Sequence, residues 1–579
     1  MECLDTMIHR GPDGFGLWQE DGVTLGHRRL AILDLSSAGS QPMSYANERY
    51  WMTFNGEIYN FIEIREELQH KGYTFRGNSD SEVIMAAYCE WKEKCVDRFN
   101  GMWTFAIWDR QEKSLFLSRD RFGVKPLYYT EFPDGGFAFA SEMKALLPLL
   151  EKVEPNKEMF DRYFADNHYE SQPECLIKGI KRFPAGSYAW IRNGKTEITR
   201  FWNTLDHLIE VPDTYEEQVE QFRELFLDAC KIRMRSDVTL GTGLSGGLDS
   251  SATICAMSYI SRNCADERAN KDWQHAYVAC FPGTDLDETK YAKQVTDYLG
   301  IRHTFLTIDD AVPEREFLRQ LYCFEELWGN PQVPMMELYK KERELGTTVS
   351  LDGHAADELF AGYGFDVLKA YPDAKGKAEI DQITMAYLNQ RSEMGYDPSS
   401  AEFKRQRNKL YRDYMTKYYA KKLLGRADVS SAYADHPNWK KLDNLNKVLF
   451  VSTHETILPT LLRNYDRDSM ASGVEIRMPF LDYRIVEFAF SIGWKSKLHG
   501  GFSKSIVRDA CADFMPHDIA YRRTKLGFNA PILDWMRGPY RQFFEDTVAS
   551  ADFANCSLID DPAKVRSDLS DFLAGKNAS

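Results

Sequence analysis

The sequence predicts two folded domains of different class: a layered α+β domain, followed by an α/β domain with a parallel sheet and a helical C-terminal part. Residues 1–200 are rich in short alternating or apolar runs closed by turn residues, which are typical of strands and hairpins. From about residue 236, strand patterns and helix patterns alternate, which favours a doubly wound parallel sheet. From about residue 400 the pattern is mostly helical.

The first domain, residues 1–203, is predicted from strand-like runs with helices between them. The runs are "GVTLGHRRLAILDL", "RYWMTFNGEIYN", "TFAIWDRQEKSLFLSRD", "PLYYTEFPDGGFAFAS" and "GSYAWIRNGKTEITRFW". "NFIEIREELQHKG" and "SDSEVIMAAYCEWKEKC" have the spacing of apolar residues expected of helices. Sheets with intervening helices indicate a layered α+β domain.

The second domain, residues 214–540, follows a predicted linker near 203–214 and opens on the amphipathic helix "TYEEQVEQFRELFLDACKIRM". Its predicted strands are "SDVTLGTGL", "QHAYVACF" and "GTTVSLDG". The helices "ATICAMSYI" and "DETKYAKQVTDYLG" follow the first two strands, and "HAADELFAGYG" follows the third. Residues 541–579 are predicted to form a helical tail.

Composition limits the class of partner. The 579 residues carry a net charge of -15 and no long Lys/Arg run, so we expect no nucleic-acid partner. No apolar run approaches the roughly 18 residues of a membrane span, and no signal peptide is evident, so we expect no membrane partner. The 11 scattered cysteines favour free thiols in a reducing compartment. These features predict a cytoplasmic protein.

The loop "SGGLDSS" at 245–251 lies between a predicted strand and a predicted helix. Two glycines allow a tight turn that presents backbone N–H groups to an anion, and the helix N-terminus adds partial positive charge. Asp249 suits a Mg²⁺ that bridges phosphates. The loop lacks the GxxxxGK[ST] pattern. The alternative is a glycine-rich connection that only begins a helix.

This loop resembles the pyrophosphate-binding loop of ATP pyrophosphatases, and with "RGPDG" upstream the chain resembles the glutamine-dependent asparagine synthetases. "LGHRRLAILDLSSAGSQPM", "FNGEIYN", "SDSE", "FNGMWTFAIWD", "RDRFGVKPLYY" and "FASE" resemble the amidotransferase half of that family. "SGGLDSS", "DGHAADELFAGYG", "DRDSMASGVEIRMPFLD" and "RRTKLGFNAP" resemble the synthetase half. The resemblance implies an N-terminal-nucleophile (Ntn) hydrolase fold in the first domain and an ATP pyrophosphatase fold in the second.

For the first domain, the resemblance implies a glutamine site. Arg29 would hold the substrate carboxylate, for which a guanidinium is suited. Asn55 and Gly56 would supply the two donors of an oxyanion hole. Glu57 and Asp80 would bind the α-amino group. The alternatives are a surface arginine, an Asn-Gly turn and a helix-capping aspartate.

The family's nucleophile is a cysteine at the chain terminus, with its own α-amine as base. No such cysteine is present in this chain; Cys3 is not terminal, and a thiol without its base is not activated. Either the natural protein begins upstream with a cysteine, or it lacks glutaminase activity and uses free ammonia. The first is favoured, because the other expected glutamine-site residues are in place.

For the second domain, the resemblance implies that ATP adenylates a carboxylate and that ammonia attacks the acyl-adenylate. Asp249 and Asp357 are assigned to Mg²⁺, and Lys504 would act near the phosphates. Asp357 could instead favour the start of a helix. The expected ATP and pyrophosphate contacts are Leu244, Ser245, Gly246, Gly247, Asp249, Ser250, Ser251, Ala279, Asp352 and Gly353.

One motif departs from the family: "SGEGADE" reads "DGHAADE" here, with Asp352 and His354 in place of a serine and a glutamate. A histidine can act as a base, but its charge varies near pH ~6.5. His354 is therefore a candidate catalytic residue or a loop histidine without catalytic duty. Glu475, Arg477 and Asp482 are read first as a structural ion network.

The expected activity is synthesis of asparagine from aspartate through β-aspartyl-AMP, with AMP and pyrophosphate as products. The substrates would be ATP, aspartate, and glutamine or ammonia, with Mg²⁺; the family also implies an internal ammonia tunnel. A homodimer is left open. The alternatives are a related ligase that amidates another carboxylate, in polysaccharide or secondary-metabolite synthesis, and a non-catalytic homologue that binds nucleotide or glutamine.

Overall fold

The computed structural model describes residues 1–166, 168–264, 266, 268–284, 286–308, 314–327, 333–426, 429–524 and 531–576. Most of the "RRTKLGFNAP" motif, residues 525–530, therefore lies outside the described residues. The predicted fold class is confirmed: an antiparallel, layered N-terminal domain precedes a parallel-sheet domain that is rich in helices. No helix in the described ranges is long and apolar enough to cross a membrane.

The N-terminal domain is a sandwich of antiparallel sheets. Its six-stranded sheet has the order β11-β10-β6-β5-β4-β3, and β1-β2 and β8-β7-β9 form two smaller sheets. The strands are β1 Gly14–Glu20, β2 Val23–Arg29, β3 Met43–Tyr45, β4 Tyr50–Ile58, β5 Gly101–Asp109, β6 Ser114–Arg119, β7 Tyr128–Glu131, β8 Phe137–Ala140, β9 Lys181–Arg182, β10 Ser187–Arg192 and β11 Lys195–Arg200. The helices are α1 Glu2–Asp5, α2 Phe61–His70, α3 Asp80–Trp91, α4 Cys95–Arg98 and α5 Lys157–Asp166.

Alternation of side chains along the central strands builds two cores in this domain. Phe105 and Phe116 pack with α2 and α3 on one face of the large sheet, where Val83 is fully buried. Ala106 and Leu117, the neighbours of those phenylalanines in sequence, pack on the other face with the small sheet. Successive residues of a strand point to opposite faces, so both faces are covered and the domain is layered.

The second domain contains a five-stranded sheet in the order β14-β13-β12-β15-β16, with every pair parallel. The strands are β12 Leu240–Gly243, β13 His275–Cys280, β14 Arg302–Thr307, β15 Val349–Leu351 and β16 Glu475–Arg477. The strand order reverses between β12 and β15. In open parallel sheets, ligands bind outside the carboxyl ends of the strands at such a reversal.

Helices cover this sheet and form the C-terminal part. They are α6 Tyr215–Arg233, α7 Leu248–Asn263, α8 Thr289–Leu299, α9 Glu314–Phe324, α10 Val333–Glu344, α11 Ala356–Phe360, α12 Gly364–Val367, α13 Lys377–Asn389, α14 Ala401–Leu423, α15 Asn444–His454, α16 Ile457–Met470, α17 Tyr483–Ser491, α18 Trp494–Lys497, α19 Ser505–Cys511, α20 His517–Ala520, α21 Ile532–Arg537, α22 Arg541–Ala549, α23 Ala551–Ala554 and α24 Pro562–Leu573.

The sequence analysis did not predict two strands of the parallel sheet, β14 and β16. β14 is an edge strand whose side chains are largely exposed, so it lacks the apolar run of a buried strand. β16 is only three residues long, too short to give a strand pattern in the sequence. Both pairings join segments far apart in sequence, so local patterns carry little information about them.

Candidate active sites

A first cavity, of about 400 Å³, lies in the N-terminal domain. The residues predicted to bind glutamine all line it: Arg29, Asn55, Gly56, Glu57 and Asp80. They come from the end of β2, from β4 and from the start of α3. The fold therefore brings together five residues that the sequence spreads over about fifty positions.

Asn55 and Gly56 are adjacent in β4, opposite Thr104 and Trp103 of β5. Gly56 has φ +150°, and a Cβ placed there would lie 2.1 Å from the backbone oxygen of Met102. Only glycine tolerates this close approach of two strands. Asn55 donates from Nδ2 to Ser141 Oγ at 3.3 Å, which orients its amide at the cavity wall.

Arg29 is held by the loop that follows β2. Its guanidinium donates to the backbone oxygens of Asp34 at 2.5 Å and Ser36 at 2.9 Å. On the other side, Asp80 is buried and accepts a hydrogen bond from the backbone N–H of Ile58 at 2.9 Å. Burial raises the pKa of Asp80 to about 7. The cavity thus offers a guanidinium and a carboxyl whose charge is sensitive to pH.

Glu57 belongs to the boundary between the two domains as well as to the cavity. Its Oε2 accepts from Arg477 Nη2 at 3.0 Å, and Arg477 is fully buried. Burial and the neighbouring Asp80 carboxylate raise the pKa of Glu57 well above its usual range. One oxygen is thus committed to a protein partner, and the expected contact of Glu57 with glutamine remains a prediction.

Two members of the predicted ion network, Glu475 and Arg477, pair with each other, whereas the third, Asp482, belongs to a separate ion pair. Glu475 accepts from Arg477 Nε at 3.1 Å and from Lys125 Nζ at 3.1 Å. Asp482 instead pairs with Arg233 at 2.9 Å. These contacts, with the Glu57–Arg477 pair, join the antiparallel domain to the end of the parallel sheet.

Cys3 lies in α1, is half-buried, and lines the same cavity as Arg29 and Asn55. The sequence analysis did not anticipate this position of Cys3. Leu4, the next residue, is buried, and its backbone oxygen accepts from Arg28 Nε at 3.0 Å. These contacts fix α1 against β2.

A second cavity, of about 450 Å³, lies outside the carboxyl ends of β12 and β15, at the strand-order reversal. Most of the predicted ATP-site and catalytic residues line it. They are Leu244, Ser245, Gly247, Asp249, Ser250, Ala279, Asp352, Gly353, His354, Asp357 and Lys504. Two predicted contacts, Gly246 and Ser251, are absent from its lining.

The loop after β12 has an internal scaffold of hydroxyl contacts. Ser250 Oγ lies 3.0 Å from Ser245 Oγ and accepts from the Ser245 N–H at 3.2 Å. The Gly247 N–H donates to Ser245 Oγ at 3.1 Å, and α7 begins directly afterwards. The N-terminus of a 16-residue helix therefore faces the cavity, where its partial positive charge favours an anion.

Gly246 and Ser251 have structural positions. Gly246 has φ +76°, and a Cβ there would lie 2.4 Å from the backbone N of Ala292, so this glycine packs against α8. Ser251 is fully buried, and its N–H donates to the Gly247 oxygen at 3.2 Å. Ser251 Oγ is buried and does not line the cavity, and the expected phosphate contact of Ser251 remains a prediction.

Lys504 links the two carboxylates predicted to hold Mg²⁺. Its Nζ lies 2.5 Å from Asp249 Oδ2 and 2.5 Å from Asp357 Oδ1. Burial lowers the pKa of Lys504, but the two carboxylates outweigh it and raise the pKa overall. Gly362 makes room for this cluster, since a Cβ there would lie 1.7 Å from Asp357 Oδ1.

Asp352 is a buried carboxylate that ties two strands together. It accepts from the Gly243 N–H at 3.0 Å and from the Tyr339 hydroxyl at 2.6 Å. Burial raises its pKa, but the contacts with His354 and Tyr339 prevail and lower it. His354 Nε2 lies 3.6 Å from Asp352 Oδ2, and its ring stacks on Tyr465 at 3.6 Å between centroids.

The sequence analysis missed several residues of this cavity. Tyr363 donates to Glu358 at 2.5 Å, and Tyr465 is contributed by α16. Arg522 pairs with Glu288 at 2.6 Å and donates to the Gly246 oxygen at 3.3 Å, which brings a second cation to the loop 245–251. The motifs "DGHAADELFAGYG" and "RRTKLGFNAP" contained three of these residues, but their roles depend on tertiary contacts.

Fold and cavities together define a class: an Ntn-type glutamine amidotransferase domain joined to an α/β domain with an anion-binding loop. Residues 1–202 match the family described as "Glutamine amidotransferase domain", and residues 221–577 match "Asparagine synthase". Because the second match spans more than half of the chain, the chain belongs to the asparagine synthase family. It is therefore a carbon–nitrogen ligase.

Two bacterial asparagine synthetases are among the relatives of this chain. Asparagine synthetase [glutamine-hydrolyzing] 1 of Bacillus subtilis is 30% identical over 94% of this chain and 85% of its own length. Asparagine synthetase B of Escherichia coli is 27% identical over 90% and 77%. Amidase chry2 of Gibberella zeae is 26% identical over 96% and 88%. A B. subtilis glutamine phosphoribosylpyrophosphate amidotransferase structure covers 61% of this chain and 77% of its own, at 15% identity and TM-score 0.27.

Proposed function

We propose that this enzyme makes asparagine from aspartate, with ATP as the activating substrate and glutamine or ammonia as the nitrogen source. The observation that carries the proposal is the arrangement of Lys504, Asp249 and Asp357 beside the 245–251 loop, in one cavity at the strand-order reversal. The names of the bacterial relatives support asparagine as the product.

In the first step, the β-carboxylate of aspartate attacks the α-phosphorus of ATP, and pyrophosphate leaves. The loop N–H groups, the N-terminus of α7 and the ammonium of Lys504 stabilise the negative charge that develops on the leaving group. Asp249 and Asp357 have the oxygen ligands that Mg²⁺ prefers and lie close together, so they fit a cation that takes its other ligands from phosphates and water. Mg²⁺ would supply charge neutralisation there.

In the second step, ammonia attacks the acyl carbon of β-aspartyl-AMP, AMP leaves, and the nitrogen loses a proton. We assign that proton to His354. Its ring lines the cavity, and its Nε2 lies 3.6 Å from Asp352 Oδ2, a carboxylate that would stabilise the positive charge on the protonated ring. Tyr465 fixes the ring by stacking.

In the first cavity, glutamine would release the ammonia. Arg29 would hold the α-carboxylate, Asp80 the α-ammonium, and Asn55 and Gly56 the oxyanion. All four line one cavity, which supports a common substrate.

A second candidate is amide formation on a different carboxylate. His354 in place of the family glutamate favours it, because that position lies on the wall of the synthetase cavity. The relative named Amidase chry2 adds support.

The test is product analysis with ATP, Mg²⁺ and aspartate, run in parallel with ammonium chloride and with glutamine. Asparagine and pyrophosphate in equal amounts from ammonium would support the proposal; asparagine from glutamine as well would establish a working glutaminase. If folded protein binds ATP but forms no asparagine from either source, the second candidate replaces the first.

A further inference from the structure

Helix α14, Ala401–Leu423, is strongly basic in an acidic protein. Residues 401–426 contain nine lysines and arginines against two acidic residues, although the whole chain has a net charge of -15. The cations are Lys404, Arg405, Arg407, Lys409, Arg412, Lys417, Lys421, Lys422 and Arg426. All except Arg407 are exposed. They are interspersed with other residues, so the sequence analysis found no basic run; the helix gathers them on one element.

The two faces of α14 differ sharply. Phe403 and Met415 are buried, and Leu410, Tyr414 and Tyr418 pack against the core beside them. The opposite, outward face consists of residues at helical spacing: Arg405, Lys409, Arg412, Thr416, Tyr419 and Leu423. This outward face is basic in its first half and carries aromatic and aliphatic side chains in its second half.

Residues 419–426 form the projecting end of α14 and the turn that follows it. Every residue from 419 to 426 is exposed, with Tyr419 at 60%, Leu423 at 89% and Leu424 at 69%. Leu424 directly follows the helix, and Lys422 and Arg426 lie next to the leucines in sequence. Because the side chains of Leu423 and Leu424 are not buried, they do not stabilise the fold of this chain.

We propose that the outward face and projecting end of α14 attach this enzyme to an anionic lipid bilayer. Its cations would meet acidic headgroups, Tyr419 would lie at the interface, and Leu423 and Leu424 would enter the acyl boundary. The sequence analysis expected no membrane partner because no segment can span a bilayer, but surface attachment requires only one amphipathic face.

The charge and the side-chain types of this surface favour an anionic bilayer over a second copy of the chain or a nucleic acid. A second copy of the chain placed on the same face would oppose two clusters of positive charge, which is unfavourable. Nucleic acid would engage the cations but offers no apolar phase for two leucines. An anionic bilayer complements both halves of the face at once.

The experiment is co-sedimentation of the full chain with vesicles of phosphatidylcholine alone, or of phosphatidylcholine mixed with phosphatidylglycerol. We expect binding only to the mixed vesicles, weakening as salt rises. Lys409→Glu/Lys422→Glu and, separately, Leu423→Ser/Leu424→Ser should each weaken binding by about tenfold or more. ATP-dependent pyrophosphate release should be unchanged in both, which checks the fold.

Matched controls are Lys195→Glu/Lys271→Glu, with the same charge change at exposed sites elsewhere, and Leu345→Ser/Val565→Ser, with two other exposed aliphatic residues. Both should bind like the parent. Absence of binding to the mixed vesicles would overturn the proposal. So would binding that survives the leucine changes, or equal binding to duplex DNA, since either result would indicate a general polyanion site.

Discussion

At the scale of single residues, Asp80 shows how burial sets the charge of a binding group. Its carboxyl is buried beside Glu57, and the pKa is raised to about 7. The folded protein therefore holds a proton on Asp80 between the ordinary value of 3.8 and about 7, over which the unfolded chain has lost it. Ionisation of Asp80 thus costs stability as the pH rises through that window.

Glutamine binding should therefore depend on pH. Below pH ~7, Asp80 must lose its proton before it can pair with the substrate ammonium, so affinity should fall by up to about tenfold per pH unit. Calorimetric titration with glutamine across that range checks this. Asp80→Asn should bind weakly at every pH, whereas Asp21→Asn, in the exposed turn between β1 and β2, should behave like the parent. A flat profile in the parent would exclude Asp80 from ammonium binding.

In the second cavity, Lys504 is the buried charged residue whose role a substitution can test. Lys504→Met removes the cation between Asp249 and Asp357, which is the charge proposed to stabilise the leaving pyrophosphate. We expect the rate of ammonium-dependent amide formation to fall by about 10²–10³-fold, with glutamine binding unchanged. Lys495→Met, at an exposed lysine that pairs with Glu379, is the matched control. Near-parent turnover in the Lys504 variant would remove that residue from the chemistry.

At the scale of elements, the strand-to-helix junctions fix the position of the loop 245–251. Gly353, directly after β15 and Asp352, packs against the start of α7: a Cβ at this position would lie 2.4 Å from the backbone carbon of Asp249 and 2.5 Å from the Ser250 nitrogen. Backbone atoms cannot yield as a flexible side chain can. The loop and β15 are therefore held at a fixed separation.

Gly353→Ala should displace the N-terminus of α7 and weaken ATP binding by about tenfold or more, with a stability loss of about 1–3 kcal/mol. Equilibrium binding of ATP and thermal unfolding measure the two effects. Gly376→Ala, where no atom lies within 4 Å of the added Cβ, should be neutral in both. Unchanged ATP affinity in the Gly353 variant would mean that the loop adjusts freely.

At the scale of the whole molecule, buried charge joins the two domains. Arg477 follows Glu475 in β16, pairs with Glu57 of β4, and also donates to the backbone oxygens of Arg233 and Arg235 at 2.9 and 2.6 Å. A second junction forms where Arg10 pairs with Asp466 of α16 at 2.7 Å. Helix α16 also contributes Tyr465 to the second cavity and Met470 to the first.

Arg477→Met should lower the free energy of unfolding by about 3–5 kcal/mol, because it leaves buried carboxylates without their counter-charge. Adding Glu57→Gln should recover part of the loss, since one of those charges is then removed. Denaturant unfolding measures both. Arg302→Met, which breaks an exposed pair with Asp272, should cost less than about 1 kcal/mol. Equal losses at the two arginines would show that the domain junction contributes no more than a surface pair.

Several features were predictable from sequence because local chemistry determines them. The "SGGLDSS" loop combines glycines, hydroxyls and a carboxylate between a strand and a helix, and this context predicted an anion site. The alternation of strands and helices predicted the parallel sheet. Resemblance of ordered motifs then placed both domains in one family, which the comparisons confirmed.

Tertiary structure decided the rest, because it depends on which distant segments pack together. The Glu57–Arg477 pair joins residues 420 positions apart, and β16 pairs with β15 although several helices separate the two strands in sequence. The burial of Ser251, the stacking of the Tyr465 ring on His354 and the projecting end of α14 follow from the same packing. The sequence by itself determined which chemical groups this protein carries and the period of each element; only the packed domains determined which of those groups meet, because burial and charge pairing are properties of neighbours in space.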